Sequence, residues 1–234
     1  MLNDIQTFYE KTKLSKPSKI PSGREPIEHV YVFHKSYPRL PKIKLPKKPL
    51  AGEYESLLKK RRSERDFSKK PVTILELSNI LKSLSITQKY PERRTYPSAG
   101  ARYPVELYVA AFNMDGIKTG AYHFNFIDFS LEQILNTNLK IFEKELISPF
   151  LKQPAGVVIL TGVLSRSYVK YANKGYPYTL IEVGHISQNL LLSSTKYKIG
   201  MCPVGGFVND TVSKILDLTE EEVPLCVLGF GHKN

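Results

Sequence analysis

Residues 94–113 read RTYPSAGARYPVELYVAAFN, and the change of character inside this stretch sets the fold class. Before Val105, two prolines bracket the small residues Ser98, Ala99 and Gly100. That composition makes a rigid loop whose backbone a flat ligand can approach, with Tyr96 and Tyr103 on either side. An ordinary surface turn has the same composition. From Val105 to Asn113 the β-branched and aromatic content predicts a strand. Asp115-Gly116 marks a turn, and Gly120 to Phe126 is the returning strand. Further out, Gly156 to Leu164 reads as a second interior strand and Val223 to Phe230 as a last one. Helical patterns lie among them. Glu53 to Arg62 is one. Thr73 and Glu76 form a capping box, after which Ile74, Leu77, Leu81 and Leu84 make an apolar stripe. Leu139 to Leu151 is helical and stops before Pro154. Tyr178 to Tyr197 is the longest, with Leu180, Gly184, Ser187 and Leu191 on one face. Asn209 is expected to cap a helix to Asp217. Strands and helices mix without regular βαβ units, which argues for an α+β domain.

The chain has 234 residues, 41% of them apolar, which suits one domain with a sizeable core. Lys and Arg total 34 against 22 Asp and Glu, a net charge of +12. So basic a chain suits an anionic partner such as a phosphorylated cofactor, a nucleic acid or an acidic peptide. Cys202 and Cys226 are too few for a disulfide scaffold or a Cys-rich metal site. They read as buried thiols in a reducing compartment. The best apolar run, Ala155 to Leu164, is half of what a membrane span needs. Met1 to Glu10 has no apolar signal core, so the cytoplasm is the expected location. Residues 1–50 carry seven of the 16 prolines with lysines between them. They read as a basic, extended N-terminal arm with a short helix near Asp4 to Lys13, ahead of a domain over residues 51–234.

Four places hold side chains with chemistry to offer. Arg61-Arg62-Ser63-Glu64-Arg65 sets three guanidiniums and a hydroxyl within five residues. Planar guanidiniums match phosphate oxygens and stay charged at physiological pH; a solvated basic run is the alternative. Cys202-Pro-Val-Gly-Gly-Phe207 exposes backbone N–H groups able to bond a heteroaromatic ring nitrogen, or is simply a turn. Lys170-Tyr171 is a potential proton-transfer pair, or part of a basic aromatic surface loop. His185 on the long helix reads as a packed core histidine. The five histidines are scattered, so no metal is expected. There is no GxGxxG, Walker A or GxSxG motif, and no nucleic-acid motif accompanies the charge.

Taken in order, RRSERDF (61–67), PVTILELSNIL (71–81), RTYPSAGARYPVELYV (94–109), GAYHF (120–124), KYANKGYPYTLIEVGHISQNLLL (170–192), PVGGF (203–207) and PLCVLGFG (224–231) resemble the FMN-dependent nitroreductase family. Within it they look like the SagB-type dehydrogenase branch, which includes azoline oxidases of peptide-modification pathways. The resemblance runs from about residue 50 onward. It implies a nitroreductase-like α+β fold, a central mainly antiparallel sheet flanked by helices, built as an intertwined homodimer with FMN at the interface. It assigns Arg61, Arg62, Ser63 and Arg65 to the phosphate and ribityl end of FMN. It assigns Pro97, Ser98, Ala99 and Gly100 to a loop reaching the partner subunit's flavin, and Gly205 and Gly206 to the turn facing the ring. Lys170 and Tyr171 match the catalytic pair of the azoline oxidases. The implied reaction oxidises peptide thiazolines or oxazolines to azoles: a base takes the Cα proton, hydride leaves Cβ for the flavin, and oxygen reoxidises it. A cyclodehydratase complex is the implied partner. An NAD(P)H-dependent nitro- or quinone reductase is the alternative on the same fold.

Overall fold

The computed structural model describes residues 3–16, 34–47, 51–87, 90–139 and 150–234. Its centre is a six-stranded sheet. In chain order the strands are β4 (Val105–Ala111), β6 (Gly120–Asn125), β7 (Ser130–Leu135), β8 (Gly156–Val163), β9 (Ile199–Val204) and β10 (Glu222–His232). They lie side by side as β7-β6-β4-β8-β10-β9, and every neighbouring pair is antiparallel. Four short strands, β1 (Val72–Thr73), β2 (Ile86–Thr87), β3 (Tyr90–Arg94) and β5 (Met114–Asp115), pair outside it as β1-β5 and β2-β3.

Alternation along β4 divides the core in two. Val105, Leu107 and Val109 point to one face, where they join Leu77, Ile80 and Leu81 of α3 (Ile74–Leu81) and Val183, Ile186 and Leu190 of α5 (Gly175–Lys196). Tyr108 and Ala110 point to the other face, toward Phe207 and toward Val212 and Ile215 of α6 (Asn209–Ile215). This is the two-residue period of a strand covered on both sides. In β8 it produces a run that is apolar but for Thr161 and in which all but Val163 are buried. Strands buried on both faces lose the polar alternation that would otherwise mark them.

The α+β expectation holds, and so does the Thr73 capping box. The Thr73 hydroxyl accepts from the Glu76 amide at 3.2 Å, and Glu76 Oε2 accepts from the Thr73 amide at 2.8 Å. Several details differ from the sequence reading. On α5 the buried face is Thr179, Glu182, Val183, Ile186, Ser187, Leu190, Leu191 and Ser194, whereas Leu180 and Gly184 face outward. The helix is apolar on two sides, so spacing alone chose a face running between them. Strand β7 was not anticipated, because its residues are half-exposed or exposed and carry no apolar alternation. The expected helix from Leu139 to Leu151 falls mostly on residues 140–149, outside the described residues.

The N-terminal arm includes a helix, α1 (Asn3–Thr12), that packs back onto the domain. Ile5 and Tyr9 are buried with Leu164 and Val223, and Phe8 meets Tyr176 edge-on with ring centroids 6.1 Å apart. Asn209 is the fastening point. It does not cap α6, whose N-cap is Val208. Its side chain instead accepts from the Leu14 amide at 3.0 Å and donates to the Tyr9 hydroxyl at 2.9 Å and the Pro224 carbonyl at 3.3 Å. Its own amide donates to the Leu14 carbonyl at 3.1 Å.

Candidate functional site

The basic segment begins where α2 (Glu53–Lys60) ends, with Arg61 as its C-cap. From there the chain runs extended beside β9: the Glu64 amide donates to the Met201 carbonyl at 3.2 Å. Lys196 at the end of α5 pairs with Glu53 of α2 at 3.1 Å and holds this corner together. Ser63, Arg65 and Arg61 gather about the buried Cys202. Burial raises that thiol's pKa, while the Arg65 charge, the Ser63 hydroxyl and the Arg61 charge pull it back. Arg62 turns away and donates to the Lys59 and Arg61 carbonyls at 2.9 and 3.0 Å. Arg65 donates to the Ser63 carbonyl at 3.4 Å. No carboxylate among the described residues pairs with Arg61, Arg62 or Arg65. Unneutralised guanidiniums with a hydroxyl between them are what an anion needs. Three residues beyond Cys202, Gly205 lies exposed with open space where a Cβ would stand. It lines a small recess with Tyr176, Leu180 and Phe207, and with Lys13 at the end of the arm helix. Gly206 follows it, half-buried. Strand β9 therefore carries a cationic cluster beside Cys202 and leads, three residues on, into an uncovered backbone turn. That arrangement fits a ligand with a phosphate and a flat ring.

The second assembly surrounds the Pro97–Gly100 loop. Gly100 sits at φ +59 in a 3-10 turn (Ala99–Ala101), and Ala101 and Tyr103 are also left-handed, at +52 and +45. Such backbone is costly for residues with a Cβ. Several contacts hold it: the Tyr103 amide donates to Ser98 Oγ at 2.9 Å, and the Arg94 amide to the Tyr103 hydroxyl at 3.1 Å. Arg166 on α4 (Leu164–Tyr171) donates to the Tyr103 carbonyl at 3.0 Å and to Glu106 at 2.5 Å. His185 Nδ1 lies 3.2 Å from the Pro97 carbonyl, so this histidine is a loop support and not a packed core residue. Lys170 and Tyr171 come from the last turn of α4 and not from a loop. A Cβ on Gly100 would lie 2.5 Å from the Tyr171 hydroxyl and 2.8 Å from Lys170 Nζ. The Tyr171 ring is braced edge-on by Tyr178 at 5.0 Å.

Of the residues singled out from the sequence, Arg61, Ser63 and Arg65 therefore gather about Cys202 of β9, and Gly205 follows three residues further along the chain. Pro97 to Gly100, Lys170 and Tyr171 stand together elsewhere. Glu182 was missed. It lies 1% exposed on α5 beneath the loop, and neither carboxylate oxygen has a well-formed hydrogen bond. Burial pushes its pKa up to about 7, against the pull of the Ser98 hydroxyl, Arg94, the Val105 amide and Arg166. Its signal in the sequence was a single carboxylate inside an otherwise apolar helix turn, Leu180 to Val183.

The structure is thus an α+β protein, an antiparallel sheet flanked by helices, with an Arg/Ser cluster beside its edge strand and an open glycine turn just after it. Residues 58–232 match the family model described as the nitroreductase family, and the chain belongs to that family. It is an oxidoreductase of a family that uses flavin cofactors. A Methanocaldococcus jannaschii protein named as a nitroreductase is 32% identical over 181 residues, 76% of this chain and 90% of that protein. The microcin B17-processing protein McbC of Escherichia coli is 28% identical over 150 residues, 61% of this chain and 55% of McbC. Among solved structures, the E. coli microcin synthetase McbBCD complex with truncated pro-MccB17 bound contains a chain that superposes with a TM-score of 0.83. It is 21% identical, and the match covers 100% of this chain and 93% of that one.

Proposed function

We propose that the protein is an FMN-dependent, SagB-type dehydrogenase that oxidises thiazolines or oxazolines of a modified peptide to azoles. The observation that carries this reading is the convergence of Lys170 Nζ and the Tyr171 hydroxyl on Gly100, the tip of the loop proposed to face a flavin. Similarity to a microcin-processing protein, and a fold shared with a chain of a synthetase complex holding a pro-peptide, support the substrate class and a cyclodehydratase partner. Arg61, Ser63 and Arg65 would hold the phosphate of FMN, with Arg62 at the rim. Gly205 and Gly206 would face the ring. Bound FMN would supply the hydride-accepting chemistry. The protein's own part is proton transfer: Lys170 or Tyr171 would take the Cα proton of the azoline. No described helix is long and apolar enough to cross a membrane.

Purified protein should release one FMN per chain on acid treatment. Replacing Arg61 and Arg65 with Ala should weaken FMN binding by several kcal/mol, since hydrogen bonds to charged groups contribute roughly 1.5–3 kcal/mol each. Unchanged FMN affinity in the double variant would remove the phosphate site. The relative named as a nitroreductase favours an NAD(P)H-dependent reductase as the second reading. Anaerobic bleaching of bound FMN by NAD(P)H, but not by an azoline peptide, would establish it over the first.

A further inference from the structure

We infer that Arg166 is a positioning residue: it clamps the helix carrying Lys170 and Tyr171 to the Pro97–Gly100 loop, and His123 anchors it through Glu106. The inference deepens the proposed proton-transfer role of that pair and rests on it. Arg166 lies four residues before Lys170 on α4, so the two share a helix face. Its Nη1 uses both protons, one on the Tyr103 carbonyl at 3.0 Å and one on Glu106 Oε1 at 2.5 Å. The first bond reaches the far end of the left-handed segment that starts at Gly100 and includes Ala101 and Tyr103. Lys170 Nζ and the Tyr171 hydroxyl close on the same segment at Gly100 itself. Helix and loop therefore meet at both ends of the segment, and Arg166 fixes one of them by a direct hydrogen bond.

Glu106 is held so firmly that it can fix Arg166 in turn. Its side chain is only 13% exposed, and a carboxylate so covered needs partners for both oxygens. Oε2 faces His123 Nε2 at 3.2 Å, and His123 Nδ1 meets Glu132 Oε2 at 2.8 Å. Asn125 donates to the remaining Glu132 oxygen at 2.8 Å. Neutral imidazole has one N–H, so carboxylates at both ring nitrogens require the imidazolium. Charges then alternate along the row Glu132, His123, Glu106, Arg166 and cancel.

The sheet itself builds this row. His123 of β6 stands opposite Glu132 of β7 and Tyr108 of β4, and Glu106 lies two residues before Tyr108, on the same face. The Tyr108 ring backs the imidazole with centroids 5.2 Å apart, and its hydroxyl donates to Glu222 of β10 at 2.8 Å. An isolated exposed ion pair would set no distance between helix and loop. A row rooted in three strands of the central sheet does.

A double-variant cycle tests the clamp in the full-length, FMN-loaded protein with an azoline peptide as substrate. Arg166→Ala should lower kcat by up to about 10²-fold, the effect of displacing a reacting group by about 1 Å, with KM near wild type. His123→Gln, whose amide can donate to only one of the two carboxylates, should lower kcat by less. In a Lys170→Ala/Tyr171→Phe background, Arg166→Ala should cost nothing further, because the residues it places are gone. Additive losses there overturn the proposal, and so does wild-type kcat in Arg166→Ala alone. Hydrogen exchange of the flavin-free protein needs no substrate. The Tyr103 amide is bonded to Ser98 Oγ and the Ala172 amide to the Tyr168 carbonyl. Both should exchange about 10-fold faster or more in Arg166→Ala, from the loss of one charge-assisted hydrogen bond, with β8 amides unchanged. Unchanged exchange at either amide overturns the clamp whatever the enzyme oxidises. A wild type inert toward azoline peptides, with both amides loosened in the variant, would sink the substrate reading and leave the clamp standing. Should Arg166→Ala fail to fold, His123→Gln goes through the same cycle and exchange series and decides in its place.

Discussion

A methyl group on Gly100 would press on the Tyr171 hydroxyl and Lys170 Nζ, and the residue's φ of +59 already disfavours any side chain. If Lys170 and Tyr171 are the proposed proton-transfer pair, Gly100→Ala should displace them and lower turnover at little cost in sheet stability. Lys170→Ala and Tyr171→Phe test the pair directly. General acid–base groups contribute about 10²–10⁴-fold, so kcat should fall in that range while the flavin spectrum persists. Lys170→Arg should not rescue, because guanidinium does not release its proton near neutrality. Raised KM with wild-type kcat would instead mean that the pair only shapes the substrate pocket. At this scale the sequence pointed to residues whose type can do chemistry, Arg61, Ser63, Arg65, Lys170 and Tyr171, and the structure brings them into two groups. The sequence hid those whose role depends on burial. A lone Glu182 in a helix reads as surface until the helix is known to lie beneath a loop, and His185 reads as core until Pro97 is found beside it.

Among the elements, α1 shows how a proline-rich, basic arm can still contribute to the fold. The expected short helix near Asp4 to Lys13 is there as α1, but the sequence said nothing of Tyr9 finding Asn209 some 200 positions away. Asn209→Ala would strip partners from the Tyr9 hydroxyl and from the Leu14 and Pro224 backbone in a buried setting. A buried unsatisfied group costs about 1–3 kcal/mol, so urea unfolding should show a loss of at least that size. Limited proteolysis should then cut first within residues 3–16. An unchanged cleavage pattern would mean that the Ile5 and Tyr9 packing holds α1 without the latch. Elements with strong periodic or capping signals, such as α3 and β8, were legible. Strand β7 was not, because half-exposed polar strands lack alternation. Nor was the buried side of α5, because a helix apolar on two faces does not say which one meets the sheet.

For the molecule as a whole, the question is what covers the second face of α5. Tyr178, Leu180 and Ile181 stand 36%, 41% and 54% exposed, and open space surrounds Gly184 between them and the Pro97 loop. We propose that a second copy packs there in a two-fold dimer, the commonest closed assembly. Ile181→Asp would put a carboxylate on this face of each copy, and light scattering should then report a monomer. The proposal reaches the chemistry, because the chain forms two separate assemblies. One is the Arg61/Ser63/Arg65 cluster with Gly205 along β9. The other is Gly100 with Lys170 and Tyr171 on the α4–α5 corner. If the loop serves the neighbouring flavin, Lys170 and Tyr171 travel with it, and each complete site draws on both subunits. A subunit lacking Arg61 and Arg65 and a subunit lacking Lys170 would each be inactive as homodimers. Mixed by co-expression, half the dimers would be heterodimers, each with one wholly wild-type site and one doubly defective site. Activity should recover to about a quarter of wild type. Were each site built within one chain, every site in the mixture would carry a defect and no activity would return. Complementation thus separates a shared site from a self-contained one even if both form dimers of the same size.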